Sequence, residues 1–434
     1  MRIIEASDAR ALDRLAARDD ARNRAVERQA GRIIRDVRRR GDAAVAAWTR
    51  KVGREHGPVS PSDACPARLS AAALRRGWTA TPKEVRAAIR VAVKNVASVA
   101  ERQVPKPFAV RVAAGVRIEQ RVDPFRRVGC YVPGGRFPLP STLIMTAVPA
   151  LVAGVREVVV ACPRPEPVVL AAALEAGVGE VWAMGGAQAI AAFAYGTDRV
   201  ARVDKIVGPG NAWVAAAKRL VADDCAIDLH AGPSEVVVLS DTGPAEWIAA
   251  DLVAQAEHDP SARAIFVTTR RGLARAVAGE VERQLPSAGP ARDAIRRNGA
   301  VVVARSRSQA IALVNRLAPE HLVCDRAADV PAFTAAGTIF VGPWSAPAAG
   351  DYCTGSNHVL PTGGAARFRG GLGAADFLRV YAVQTLTRRG VRAIGPAAVT
   401  LAEAEGLAAH AESVRRRLVG SDAARRPPGR TLWT

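Results

Sequence analysis

From Arg127 to Val341 the chain alternates short apolar, β-branched runs with stretches of helical periodicity, and this confines it to parallel sheets covered by helices. The runs of strand length are 157–161, 180–184, 204–207, 235–240, 264–268, 300–304 and 338–341. Between them, apolar residues recur at helical spacing over 168–176, 187–194, 212–221, 271–284 and 308–316. These are too many strands for one compact sheet, which predicts an α/β fold of two doubly wound, Rossmann-like domains. Upstream, 24–48 reads as an amphipathic helix interrupted at Gly41-Asp42, 81–103 as a long helix with Ile89, Val93 and Val96 on one stripe, and 110–122 as a hairpin. The expected division is a helical arm at 1–25, a first domain from 26–130 with 236–372, a second from 131–235, and a charged helical segment at 373–434 that ends in a Pro/Arg tail.

Nearly half of the residues are hydrophobic, which excludes a disordered chain. The net charge of +20, from 61 basic and 41 acidic residues, ordinarily directs attention to nucleic acid or an anionic membrane. Here arginine supplies almost all of it, spread among alanines, and the lysines are Lys51, Lys83, Lys94, Lys106, Lys205 and Lys218. The dense runs are 35–40 and 415–430. A solvated arginine-rich surface is the favoured reading, with nucleic-acid binding a distant second. The six cysteines include no CxxC pair, as expected of reduced thiols in a cytoplasmic enzyme. Neither a signal-peptide apolar core nor an uninterrupted apolar stretch of ~20 residues is present, so a soluble protein without a membrane partner is expected.

The chemistry-bearing residues fall in a few places. Ala231–His258 reads as strand, loop and helix, and Gln255 and His258, three apart, can aim at one point and hold a metal. A polar helix end whose histidine favours the helix dipole is the alternative. Asp351 can complete a mixed N/O metal site or cap a turn, and His358 shares its loop. Glu320-His321 follows Ala318-Pro319, which disfavours helix, so the pair is expected on a loop, as a general acid and base or as a solvated surface pair. Glu405 and His410 stand about 140° apart on an ideal helix unless Gly406 distorts it, and Glu403 aligns better. Three glycine loops, 133–135, 185–188 and 208–211, can receive phosphates or merely reverse the chain. None spells GxGxxG.

RRGDAA at 39–44, VGCYVPGG at 128–135, GGAQAIAA at 185–192, VDKIVGPGNA at 203–212 and AIDLHAGPSE at 226–235 occur in that order. QAEH at 255–258, APEHL at 318–322, GDYCTGSNHVLPT at 350–362 and EAEGLAAH at 403–410 follow. Together they resemble the histidinol dehydrogenase family over nearly the whole chain. The resemblance implies a zinc- and NAD-dependent oxidation of L-histidinol to L-histidine through histidinal, with two NAD reduced. It makes Gln255, His258, Asp351 and His410 the zinc ligands and Glu320 with His321 the acid/base pair. Substrate contacts fall on Ser234, Glu405, His321, His358 and the zinc ligands, while Tyr131, Gln188 and Asn211 touch NAD. It also implies a homodimer, assembled through the N- and C-terminal segments, in which Glu405 and His410 act in the partner's site. Two departures leave the substrate slightly open: His230 stands where Pro is common, and Gly370-Gly371 lies where Ser is usual. Cys130 and Cys353 read as small packing residues. A rival keeps the scaffold, zinc and NAD but oxidises another polar alcohol such as a sulfonated diol; Glu405 suits a cationic substrate better.

Overall fold

The apolar runs become the strands of two six-stranded sheets within one unit, Met1–Val104 with Phe125–Phe377. The computed structural model describes residues 1–17, 24–55, 66–134, 137–229 and 232–419. His56, Cys65, Gly135, His230 and the Pro/Arg tail lie outside the described residues. Sheet one is wholly parallel, in the order β1 (Arg2–Glu5), β12 (Ala300–Val303), β11 (Arg263–Thr268), β10 (Glu235–Leu239), β13 (His321–Cys324), β14 (Thr338–Val341). Its residues alternate between two cores: Val236, Val238, Phe266 and Val301 face one, Val237, Leu239, Ile265 and Val302 the other. Burial on both faces makes such strands read as continuous apolar runs.

Sheet two runs β2 (Ala67–Arg68), β7 (Glu180–Ala183), β6 (Glu157–Cys162), β5 (Arg127–Tyr131), β8 (Lys205–Val207), β9 (Ala226–Ile227), parallel except for the β2–β7 pair. Apart from the edge strands β1 and β2, the chain enters each sheet centrally, at β10 or β5, and later doubles back, which puts a switch point between β10 and β13 in sheet one and between β5 and β8 in sheet two.

Sheet membership divides the chain differently from the sequence expectation. The helices Arg24–Arg40 and Asp42–Glu55 share a core with sheet two through Ile33, Ile34, Val37 and Val45, beside Ile190, Phe193 and Val214. Helices Ala71–Ala80 and Lys83–Gln103 pack on Pro167–Glu175 and Pro140–Val152, again with sheet two. Most of 26–130 therefore sides with 131–235 rather than with 236–372. An apolar stripe tells that a helix must be covered, not which sheet covers it. The helical arm at 1–25 also needs correcting: β1 pairs with β12 at the edge of sheet one, and helix Ala9–Ala16 buries Ala11, Leu12 and Leu15 beneath it.

The second unit, Pro105–Pro124 with Leu378–Thr434, holds an antiparallel sheet in the order β15 (Leu378–Leu386), β4 (Val116–Pro124), β3 (Phe108–Ala113). The helical reading of 373–434 missed β15. Helices Arg388–Ala404 and Ala408–Val419 follow, separated at Gly406, whose φ is +75°. The basic run 35–40 is partly engaged at home, with Asp36 binding Arg39, Arg40 and the Trp48 indole and Arg38 lying over the Tyr195 ring.

Candidate active site

Each sheet presents expected site residues at a different edge. In sheet one they stand at the amino edge: Glu320 immediately precedes β13, His321 is its first residue, and Ser234 precedes β10. In sheet two they stand at the carboxyl edge: Tyr131 ends β5, the 185–188 loop follows β7, and Asn211 follows β8. In sequence, β9 at one edge is followed directly by β10 at the other.

His321 opens a strand rather than lying on a loop. The turn before it is tight, because helix Arg307–Leu317 ends at Ala318 in the left-handed region, φ +48°, the one non-glycine with positive φ among the described residues. His321 is 3% exposed, and its Nδ1 lies 3.2 Å from the Glu235 carbonyl oxygen and 3.6 Å from Glu320 Oε2. Nε2 lies 3.4 Å from Asp351 Oδ1, and the ring stacks on Phe340 with centroids 6.0 Å apart. Burial alone would lower the His321 pKa, but Asp351 and Glu320 outweigh it and push it up to about 10. Glu320 Oε2 accepts from the Glu235 N–H at 2.8 Å, so one peptide strand positions both members of the pair.

Asp351 lies in the short helix Pro347–Tyr352. Burial tends to raise its pKa, but the imidazoles of His321, His358 and His258 hold it below the ordinary carboxylate value. His358 donates Nδ1–H to the Asp351 carbonyl at 2.9 Å and meets the Thr142 hydroxyl through Nε2 at 3.4 Å. Burial lowers the His358 pKa, consistent with a neutral ring between these partners. Gln255 is buried in the last turn of helix Ala245–Ala256, whereas His258 stands exposed beyond its end, so the two do not sit on one helix face as the spacing alone suggested. Glu405 caps helix Arg388–Ala404 and His410 lies in the next helix; the break at Gly406 removes the single-helix phase objection. Both belong to the second unit, where Glu403 pairs instead with Arg415.

At the carboxyl edge of sheet two, Tyr131 is 4% exposed and its hydroxyl oxygen accepts from Gly186 N–H at 3.0 Å. Burial pushes its phenol up to about 12, so it stays protonated. Helix Gly186–Tyr195 starts without a side-chain cap, and the buried Gln188 Oε1 has no hydrogen-bond partner. An unsatisfied buried acceptor beside an uncapped helix start fits a ligand bearing both N–H or O–H groups and phosphate. The 208–211 loop behaves differently: the Asn211 side chain accepts from Trp213 and Val214 N–H, so part of that helix terminus is already satisfied.

Against known proteins, residues 16–418 match the family model of histidinol dehydrogenase. A histidinol dehydrogenase of Aromatoleum aromaticum is 44% identical over 94% of both chains. That of Cereibacter sphaeroides is 46% identical over 89% of this chain and 90% of its own. The crystal structure of histidinol dehydrogenase from Elizabethkingia anophelis aligns with a TM-score of 0.89 at 31% identity, covering 96% of this chain and 98% of that one. The chain belongs to the histidinol dehydrogenase family.

The family oxidises histidinol to histidine in two steps and depends on zinc and NAD. The N/O donors of Asp351, His258 and Gln255 suit zinc. A different group, Cys324, Asp325 and Asp329, is the one His/Cys/Asp/Glu triad among the described residues whose ligand atoms already lie within 4.8 Å of one another. Its centre is filled by Arg307, whose guanidinium reaches Asp325 at 2.5 Å, Asp329 at 2.7 Å and Asp241 at 3.3 Å. The triad is thus an arginine-filled ion cluster at the carboxyl edge of sheet one, opposite His321. Sequence reasoning missed Thr142 and Glu235 in the family site, and it missed Lys218 and Asp228 below the 208–211 loop. Asp228 and Glu235 fall inside AIDLHAGPSE, but a motif does not show which backbone groups its side chains hold.

Proposed function

We propose that this chain oxidises L-histidinol to L-histidine, with Glu320 and His321 as the acid/base pair. The proposed zinc ligands are Gln255, His258, Asp351 and the partner subunit's His410, and Tyr131, Gln188 and Asn211 serve NAD. The observation that carries the reading is the buried Glu320–His321–Asp351 cluster tied through the Glu235 backbone. When bound, zinc polarises the substrate oxygen and NAD accepts hydride.

The chain's own residues supply the proton chemistry. His321 Nδ1–H donates to the Glu235 carbonyl, which leaves Nε2 to accept the substrate's hydroxyl proton. The negative charge of Asp351 helps to lift the His321 pKa, so drawing that charge into coordination lowers it towards a base working near neutrality. Glu320, anchored through Oε2, keeps a second oxygen to deprotonate the water that hydrates the aldehyde. His358 orients Asp351 through its carbonyl. Ser234 and Glu405 contact the substrate, where Glu405 offsets its positive charge. A homodimer supplies Glu405 and His410 across its interface. A cytoplasmic setting is supported by the unpaired thiols of Cys130, Cys162, Cys225, Cys324 and Cys353, which suit a reducing compartment; no described helix is long and apolar enough to cross a membrane.

The test is NADH formation from L-histidinol before and after chelation. The expected yield is about two NADH per histidinol, lost on chelation and restored by zinc. Absence of NADH from a zinc-loaded enzyme overturns the substrate assignment, and full activity of the metal-free enzyme overturns the metal site.

A further inference from the structure

The loop 208–211 leaves β8 beside the end of β5, and its backbone is packed against the protein rather than open. Gly208 has φ +111°, and a Cβ there would collide with the Tyr131 carbonyl oxygen; one on Gly210 would collide with Val214. Beneath the loop lies a buried ion pair between Lys218, in helix Ala212–Val221, and Asp228, just past β9, with side chains 3% and 0% exposed. Asp228 Oδ2 accepts from Gly208 N–H at 2.6 Å, and Oδ1 accepts from Leu229 N–H at 2.6 Å and from the Lys218 ammonium. Lys218 Nζ also donates to the Gly208 carbonyl at 2.8 Å. Both polar groups of Gly208 are therefore held by one salt bridge.

Stability alone is a weak reason for this arrangement, because desolvating two charges offsets much of their attraction and a well-packed apolar pair often serves as well. A backbone that must stay in one position is a better reason. Gly208 touches Tyr131, the Tyr131 hydroxyl holds Gly186 N–H, and the uncapped helix with Gln188 begins there. We propose that Lys218 and Asp228 are positioning residues for the dinucleotide, acting through Gly208 to pre-set the carboxyl edge of sheet two. The inference rests on the NAD reading above. They touch no cofactor themselves; their part is to remove the ordering cost that a slack loop would impose on binding.

The double variant Lys218→Met/Asp228→Leu removes both charges while keeping an apolar filling. Its fold is followed by circular dichroism, NADH affinity by fluorescence titration without substrate, and L-histidinol affinity by calorimetry on zinc-loaded enzyme. A folded variant with unchanged L-histidinol affinity and NADH bound roughly tenfold more weakly, about 1.4 kcal/mol, is the expected result. Unchanged NADH affinity, or equal weakening of both ligands, overturns the proposal. Wild-type enzyme that binds L-histidinol but no NADH removes the cofactor reading itself, and the proposal with it. If the variant does not fold, hydrogen exchange on wild type decides: a Gly208 amide already protected without NADH supports pre-setting, and protection only upon binding overturns it.

Discussion

His321 meets a different partner at each ring nitrogen, and that asymmetry sets what its loss should do. Replacing it by Ala removes the proton acceptor but none of the proposed metal ligands, so turnover should fall by roughly 100- to 10,000-fold with zinc still bound; metal analysis beside NADH kinetics checks this, and loss of zinc would reassign the residue. Glu235 allows a pH prediction. Burial chiefly, with Glu320 adding and Arg263 opposing, raises its carboxyl from 4.5 to about 7. A raised carboxyl contributes stability that is complete below the unfolded value and is lost as pH climbs through the folded one. Wild type should therefore lose about 2 kcal/mol relative to Glu235→Gln between pH 5 and 8, measured by urea unfolding of metal-free protein. Parallel curves for the two proteins would show that Glu235 is ionised throughout.

Among the elements, the short helix Pro347–Tyr352 packs closely against β14. A Cβ on Gly350 would run into the Phe340 ring, which stacks on His321. Gly350→Ala should push Asp351 and His321 apart and lower kcat about tenfold, or 1.4 kcal/mol, in a folded protein; unchanged kcat would show that Phe340 swings aside freely. The parallel strands were legible from sequence because burial on both faces leaves an unbroken apolar run, as in Val236–Leu239. β15 was not, since LRVYAVQTL is mostly exposed and carries no buried face to read. β1 is a four-residue edge strand whose register comes from β12, distant in sequence. The proposed site residues stand out as motifs, but their geometry was not legible. Nothing in APEHL says that His321 begins a strand, and nothing in the spacing of Lys218 and Asp228 says that they share a salt bridge.

At the level of the whole molecule, the proposed sharing of sites between subunits has a clean test. His321→Ala and His410→Ala protomers, co-expressed, should regain roughly a quarter of wild-type activity, because half of the dimers are mixed and each mixed dimer has one intact site. If both residues served their own chain, no mixture would recover. The two sheets also divide the labour unequally. Sheet two carries the proposed NAD residues at its carboxyl edge, while that edge of sheet one is closed by Arg307 among Asp241, Asp325 and Asp329. A scaffold with two dinucleotide berths by topology thus has one open, and titration should saturate at one NADH per chain. Four electrons leave histidinol in two pairs, so the single berth must be emptied and refilled mid-reaction. The half-oxidised aldehyde has to stay put during that exchange, and the proposed acid/base pair stands on a different sheet from the proposed NAD residues, so it can wait while the carrier is changed.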